Sequence, residues 1–85
     1  MNWDLRIASR ARKALEKFPV KDRRLLLSAL EAMRTDPLSG KIKRLIGERS
    51  AFRRRVGNYR IFFDVDLESF IVDIVEIVRR TSTTY

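Results

Sequence analysis

Four arginines lie within thirteen residues of the sequence AFRRRVGNYRIFF, which covers positions 51–63. Arg53, Arg54 and Arg55 are consecutive, and Arg60 follows a Gly-Asn pair. A guanidinium group donates paired hydrogen bonds to a phosphate, so this group of arginines is suited to holding an anion and stabilising charge that develops on it. A solvated surface is the simpler interpretation of a charge run, and the strand pattern described below decides between the two.

The positive charge is concentrated in one part of the chain. The 85 residues include 19 Lys and Arg against 11 Asp and Glu, a formal net charge of +8. Eight of the basic residues lie between positions 41 and 60, where Glu48 is the only acid. This distribution indicates a polyanionic partner. Beside the central arginines, the candidate phosphate-binding residues are Lys41, Lys43, Arg44, Arg54 and Arg80.

The sequence contains neither histidine nor cysteine. Without histidine it lacks the usual acid–base group near neutral pH and the commonest metal ligand. Without cysteine it has no disulfide and no thiolate site. No carboxylate-rich metal cluster is apparent, so we expect neither a metal nor a cofactor. No apolar run approaches the roughly 20 residues of a membrane span, and the N-terminus does not resemble a signal peptide. A single cytoplasmic domain over residues 1–85 is the simplest expectation.

Two helices follow a short N-terminal strand in the predicted fold. Alternating apolar residues predict a strand over residues 2–8, and helical spacing predicts helices over residues 9–17 and from residue 20 to about 34. Ser9 is the expected N-cap of the first helix. Pro19 ends that helix or starts the next one.

The second half of the sequence is of β type after a basic connection over residues 38–50. Strands are predicted over residues 51–56, 59–66 and 70–78, and the first two are separated by Gly57-Asn58, a two-residue hairpin signal. The predicted fold is a small α+β domain. It has an N-terminal strand, two antiparallel helices and a three-stranded antiparallel meander, with both helices on one face of the sheet. The last strand is apolar enough to lie inside the sheet, beside the N-terminal strand.

A turn at Gly57-Asn58 places Arg55 opposite Arg60. Since side chains alternate between the faces of a strand, one face carries Phe52, Val56, Tyr59, Ile61, Phe63 and Val65, and the other carries Arg53, Arg55, Arg60 and Phe62. Directly opposed like charges are destabilising, and an anion lying across them would reverse that effect. A functional basic face is therefore favoured over a solvated one. By strand alternation the Arg54 side chain should point to the core face. Either this side chain reaches solvent at the sheet edge, or a bulge changes the register.

Over nearly its whole length, the chain resembles the RelE/ParE family of bacterial toxins from toxin–antitoxin pairs. The resemblance rests on LEKFP between the helices and DP after them, on KRLIG (43–47), on FRRRVGNYRIFFDV (52–65), and on a closing strand with Arg79 and Tyr85. It implies a small α+β domain with a basic concave face on its sheet. In the RelE branch, the toxin enters the ribosomal A site and cuts messenger RNA, whose 2′-hydroxyl attacks the neighbouring phosphate.

The resemblance also implies a set of functional residues and partners. Tyr85 corresponds to a terminal tyrosine that is a candidate for the general base or for positioning the substrate, and Arg80 can share or replace the role of Arg79. The implied partners are a cognate acidic antitoxin, the ribosome and messenger RNA. The positions that match the catalytic residues of the family are Arg53, Arg55, Arg60, Arg79 and Tyr85.

Two other functions remain possible on the sequence alone. ParE-type relatives of the same fold inhibit DNA gyrase and cut nothing, but they generally lack the terminal tyrosine and the full set of arginines. The sequence therefore favours the endoribonuclease. A simple nucleic-acid-binding module is the third interpretation. Opposed arginines favour one focused anion site over a long binding track.

Overall fold

The computed structural model describes residues 2–47 and 50–80, which form five strands and two helices. The elements are β1 (Asp4–Ile7), α1 (Ser9–Lys17), α2 (Val20–Met33), β2 (Ile42–Arg44), β3 (Phe52–Val56), β4 (Tyr59–Asp66) and β5 (Ile71–Arg79). The strands form one sheet in the order β1-β5-β4-β3-β2. β1 is parallel to β5, and the other neighbours are antiparallel. The predicted α+β class is confirmed, as is the position of β5 inside the sheet beside β1.

The predicted three-stranded meander is wrong in its strand count, because β2 adds a fourth strand at the outer edge. β2 lies within the segment 38–50 that the sequence presents as a connection, and it pairs with β3. Its sequence is Ile-Lys-Arg, which is too short and too charged to show an alternating apolar pattern. Charged, very short edge strands are common because they discourage pairing with other chains.

The start of α1 also differs from the prediction. Ala8 is the N-cap, Ser9 is the first helical residue, and no side chain caps this end of the helix. The physical reason is that Ala8 still takes part in the sheet. Its N–H donates a 2.9 Å hydrogen bond to the carbonyl oxygen of Ile74, so the chain passes from β1 into α1 within one residue.

The apolar core lies between the two helices and one face of the sheet. Its buried side chains come from α1, α2, β4 and β5, and Phe52, Val56 and Val65 pack against them. The predicted core face of the hairpin is therefore confirmed. We call the opposite side of the sheet the open face. Neither helix of the described residues has the length and apolar content that crossing a bilayer would require. The buried cluster consists of Ala11, Leu15, Leu26, Leu30, Met33, Tyr59, Ile61, Phe63, Val72, Ile74 and Ile77.

The β3–β4 hairpin has the predicted register. Val56 pairs with Tyr59, so Gly57 and Asn58 form a two-residue turn. Gly57 has φ +57°, in the left-handed region that glycine enters without the steric cost of a Cβ atom. The pairing of β3 with β4 is continuous, so the bulge considered as an explanation for Arg54 is wrong.

Candidate phosphate-binding site

Basic side chains from three neighbouring strands meet on the open face. Arg55 pairs directly with Arg60, and Arg53 pairs with Phe62. Lys43 of β2 pairs with Arg53 on its other side. Residues directly opposite each other in an antiparallel pair share a face of the sheet, so these basic side chains lie together. We call Arg53, Arg55 and Arg60 the arginine cluster.

Two members of the arginine cluster have buried donors. The Nε atoms of Arg53 and Arg60 are buried and have no hydrogen-bond partner among the described residues. Buried polar groups in proteins are nearly always paired, and leaving one unpaired costs about 1–3 kcal/mol. Neither Nε atom is accessible at the surface, so a phosphate oxygen on the open face would pair with one of them only after the arginine side chain turns outward. The two unpaired donors single out Arg53 and Arg60 as members of the cluster whose Nε atoms have no internal partner.

Phe62 lies among the arginines and is buried although it is on the open face. Its surface is 7% exposed, and it does not belong to the core beneath the helices. Its cross-strand neighbours are Arg53 on β3 and Glu76 on β5. Long cationic side chains commonly cover apolar surface with their alkyl stems, and the strand register places Arg53 directly beside Phe62.

Arg54 lies on the other face of the sheet. It pairs with Ile61 of the core, and its Nη1 donates a 3.2 Å hydrogen bond to the carbonyl oxygen of Ser39. Its guanidinium lies against Gly40, where an added Cβ would be 3.2 Å from the Arg54 Cζ. Arg54 therefore secures the connection between α2 and β2, and the structure does not bring it into the arginine cluster.

Lys41 and Arg44, the nearest basic residues before and after Lys43 in the sequence, are exposed. Arg44 pairs with Phe52, so strand alternation points its side chain to the helix-covered face. Lys41 precedes β2, and its carbonyl oxygen accepts a 3.1 Å hydrogen bond from the backbone N–H of Arg55. Of these three residues, the strand register places Lys43 beside the arginine cluster.

Arg79 and Arg80 differ in the face that they occupy. Arg79 pairs with Tyr59, whose ring is in the core, so Arg79 lies on the helix-covered side. The backbone N–H of Arg80 donates a 2.5 Å hydrogen bond to the carbonyl oxygen of Asn58, which continues the β4–β5 pairing by one residue. Strand alternation then places Arg80 on the same side as Arg60. The geometry favours Arg80 over Arg79 as a neighbour of the arginine cluster.

Tyr59 is a structural tyrosine, because its hydroxyl donates a 2.6 Å hydrogen bond to Oδ2 of Asp22 in the first turn of α2. Burial raises the pKa of Tyr59 above its ordinary value, and the hydrogen bond and negative charge of Asp22 raise it further, whereas the charge of Arg79 acts in the opposite direction. The phenol therefore stays protonated at neutral pH. Tyr85, the tyrosine predicted to function in the site, lies outside the described residues.

Glu76 is a residue of the open face that the sequence-based prediction missed. Glu76 pairs with Phe62, and the next residue of β4, Phe63, pairs with Ile74. Val75 therefore has no partner on β4 and is an extra residue in β5. A bulge of this kind changes the face to which the following side chains point. The two acids of β5, Asp73 and Glu76, are three residues apart in the sequence. In a regular strand this spacing would point the two side chains to opposite faces, so it is the sequence signal for the bulge.

The open face thus combines guanidinium donors with a carboxylate on the next strand. Within residues 2–47 and 50–80, no three acidic side chains are grouped so that they could hold a metal ion. Guanidinium groups can bind a phosphate and neutralise the charge that it gains during a reaction. A carboxylate can accept a proton. These groups can together bind a phosphate and accept a proton beside it.

Comparisons with known proteins give one family and a consistent fold. A family model described as the ParE toxin of the type II toxin–antitoxin system parDE matches residues 5–83. A search of curated proteins gives no match. The archaeal RelE–RelB complex from Pyrococcus horikoshii OT3 is 22% identical, with 98% of this chain and 100% of that chain covered and a TM-score of 0.84.

Two bacterial structures have the same fold. The toxin–antitoxin complex RelBE2 from Mycobacterium tuberculosis is 25% identical, with 94% of this chain and 100% of that chain covered and a TM-score of 0.82. The isolated RelE toxin of E. coli is 19% identical, with 95% and 87% covered and a TM-score of 0.78. The arrangement of strands and helices around the arginine cluster is therefore one that solved toxins share.

Proposed function

Because the chain belongs to the ParE toxin family of type II toxin–antitoxin systems and has a RelE-like fold, we propose that this toxin of the RelE/ParE superfamily is a ribosome-dependent endoribonuclease. It cuts messenger RNA without a metal ion and so stops translation and growth. The 2′-hydroxyl of the RNA is the nucleophile. The toxin acts in the ribosomal A site, and its place of action is therefore the cytoplasm.

The observation that carries this proposal is the direct pairing of Arg55 with Arg60 on the open face. Two like charges opposite each other disfavour the folded hairpin, and a bound phosphate would turn that repulsion into attraction for the ligand. The buried Nε atoms of Arg53 and Arg60 support the same interpretation. Arginine is suited to this task because its fork of donors matches two phosphate oxygens.

The proposed roles follow from the chemistry of each side chain. Arg55 and Arg60 hold the scissile phosphate and stabilise the charge that develops on it, while Arg53 binds the backbone or assists the base. Tyr85 acts as the base or positions the substrate. Arg80, or Arg79 if the end of the chain rearranges on binding, is an electrostatic clamp. Arginine is a poor proton donor because its guanidinium group keeps its proton throughout the physiological pH range, and the ribosome contributes by orienting the RNA.

The partner of the free toxin is a cognate antitoxin. Similar structures are described as complexes of RelE with RelB, and the net charge of +8 on this chain favours an acidic partner. An extended segment that orders on binding can cover a large part of a small domain. Such a segment would neutralise the arginine cluster until it is removed.

Inhibition of DNA gyrase, without RNA cleavage, is the second candidate function. The specific observation in its favour is that the matching family model is described by the parDE system. The arginine cluster would then be a surface for binding a protein. The two functions predict different damage in a cell, because a poisoned gyrase breaks DNA and a nuclease cuts messages.

Primer extension on a reporter message in a translating extract tests the proposal. The purified toxin is expected to produce cuts at ribosome-bound codons, and no cuts when ribosomes are omitted. Arg12→Ala is a matched control, since Arg12 is an exposed arginine of α1 and its loss removes one charge outside the cluster. Intact messages together with gyrase-dependent cleavage of a supercoiled plasmid would overturn the nuclease proposal and support the second candidate.

A further inference from the structure

Glu76 lies in a row of side chains that crosses the open face. It pairs with Phe62 of β4, and Phe62 pairs with Arg53 of β3. Arg60 lies two residues before Phe62 on β4, which makes it a diagonal neighbour of Glu76. Diagonal neighbours in a sheet have Cβ atoms about 7–8 Å apart or somewhat less. A phosphate held by Arg60 would therefore have its adjoining ribose within reach of the Glu76 side chain.

The bulge at Val75 is what places a carboxylate here. Ile74 packs in the core, so in a regular strand Glu76, two residues later, would also point to the helices. The extra residue instead pairs Glu76 with Phe62 and returns Ile77 to the core. Bulges often redirect a side chain next to an active site. The fold thus interrupts the longest strand pairing of its sheet, that of β4 with β5, to bring an acid to an otherwise basic part of the sheet.

The ion pair of Glu76 is one that a substrate can displace. Its Oε1 is 3.8 Å from Nη1 of Arg10, and the Arg10 side chain is 69% exposed whereas that of Glu76 is 21% exposed. β1 ends at Ile7 opposite Ile74, and Arg10 reaches Glu76 beyond this point. Ion pairs with a well exposed partner contribute little to stability, so the contact with Arg10 holds the carboxylate only weakly.

A carboxylate is chemically better prepared than a phenol to remove a proton at neutral pH. Carboxyl groups have ordinary pKa values near 4 and phenols near 10, so at pH 7 nearly all carboxyl groups are ionised and about one phenol in a thousand is. A base must be in its deprotonated form before it can accept the proton of a 2′-hydroxyl.

We propose that Glu76 is the general base of RNA cleavage, an assignment that rests on the proposed nuclease function and leaves Tyr85 to position the substrate. The 2′-oxygen forms a bond to phosphorus while its proton passes to a carboxylate oxygen of Glu76. The bond between phosphorus and the 5′-oxygen breaks, and the leaving oxygen takes a proton from water. The products are a 2′,3′-cyclic phosphate and a 5′-hydroxyl, and Glu76 returns its proton to solvent.

Single-turnover cleavage on programmed ribosomes tests this role with three variants. Glu76→Gln keeps the size of the side chain and is expected to lower the cleavage rate constant by about 10²-fold or more, the usual scale for a lost general base, with an unchanged half-saturating concentration of toxin. Arg10→Gln removes the ion pair but keeps the carboxylate. Asp73→Asn removes another acid of β5, one that pairs with Asp64 and Arg6. Both controls are expected to cleave at rates close to that of the wild type.

Chemical rescue separates a base from a structural carboxylate. Sodium formate is expected to restore part of the activity of Glu76→Ala, while sodium chloride at the same ionic strength does not. A wild-type rate in Glu76→Gln, an equal loss in Arg10→Gln, or no rescue by formate in a variant that melts at the wild-type temperature would overturn the assignment. If the wild type itself leaves messages intact on ribosomes, the nuclease function and the role of Glu76 both fail. If the wild type cuts and Glu76→Gln cuts equally well, only the role of Glu76 fails.

Discussion

Tyr59 and Asp22 are 37 residues apart in the sequence and are joined by a 2.6 Å hydrogen bond from the tyrosine hydroxyl to the carboxylate. The bond connects the start of β4 to the first turn of α2. The Tyr59 ring also packs on Phe18, with ring centroids 4.7 Å apart. The tyrosine that precedes Arg60 therefore anchors the hairpin to the helices, and the arginine cluster is presented on the other side of the same strand.

Replacing Tyr59 by Phe is expected to lower the free energy of unfolding by about 1–2 kcal/mol, because the hydrogen bond to a carboxylate is lost while the ring remains. Urea denaturation of the two proteins measures this difference. Cleavage by the folded variant should be unaffected, since the hydroxyl lies on the helix-covered face. Equal stability would show that the bond to Asp22 contributes nothing.

The raised pKa of Tyr59 fixes how this difference depends on pH. A folded-state pKa above that of the unfolded chain means that the contribution is complete below about pH 10, the ordinary tyrosine value, and is lost as the pH rises through the folded-state value. The stability advantage of the wild type over Tyr59→Phe should therefore be constant near neutral pH and shrink above about pH 10. A stability advantage of the wild type that increased with pH would contradict this prediction.

Arg23 of α2 is expected to stabilise the end of α1. Its Nε donates to the carbonyl oxygen of Leu15 at 3.0 Å, and its Nη2 donates to those of Phe18 at 3.1 Å and Glu16 at 3.3 Å. Arg23→Ala removes these bonds from carbonyl groups at the end of the helix and should cost about 1–2 kcal/mol of stability. The neighbouring, exposed Arg24→Ala should change it by less than about 0.5 kcal/mol. Similar losses in the two variants would argue against capping by Arg23.

The parts of the site that the sequence predicts are those governed by local rules. A Gly-Asn turn sets the register of β3 and β4, and that register alone places Arg55 opposite Arg60. The position of Glu76 depends on a bulge in the pairing of two strands, and the side of Arg79 depends on the same ladder. The capping by Arg23 joins two helices through a side chain that is one of many arginines in the sequence. Such features arise from tertiary packing, which periodicity does not report.

Arg60→Ala is expected to abolish cleavage and leave the fold intact. Arg60 lies opposite Arg55 on the open face, so its removal eliminates a phosphate contact and also relieves a repulsion between like charges. Single-turnover cleavage and thermal melting of the variant, with Arg12→Ala as the control, measure the two effects. A melting temperature several degrees below that of the wild type would show that Arg60 supports the fold.

An acidic antitoxin is expected to bind the toxin with an affinity that falls steeply with salt. The reason is the density of basic residues between positions 41 and 60, whose attraction for opposite charges is screened by ions. Co-expression with the product of the adjacent reading frame, followed by titration at two salt concentrations, measures this. A variant that lacks both Arg55 and Arg60 should bind more weakly and depend less on salt. A basic neighbour, or one that does not bind, would contradict the expectation.

Tyr85 is expected to act through its ring, because the proposed role of Glu76 leaves the phenol no proton to accept. If the ring stacks on a base of the RNA, Tyr85→Phe should cleave at nearly the wild-type rate, whereas Tyr85→Ala should lose about 1–3 kcal/mol of interaction. Single-turnover cleavage on programmed ribosomes compares the wild type with both variants. A Phe variant as slow as the Ala variant would place the chemistry on the hydroxyl, and Tyr85 would then replace Glu76 as the candidate base. Wild-type rates in both variants would remove Tyr85 from the site, leaving the arginines and Glu76 to account for the activity.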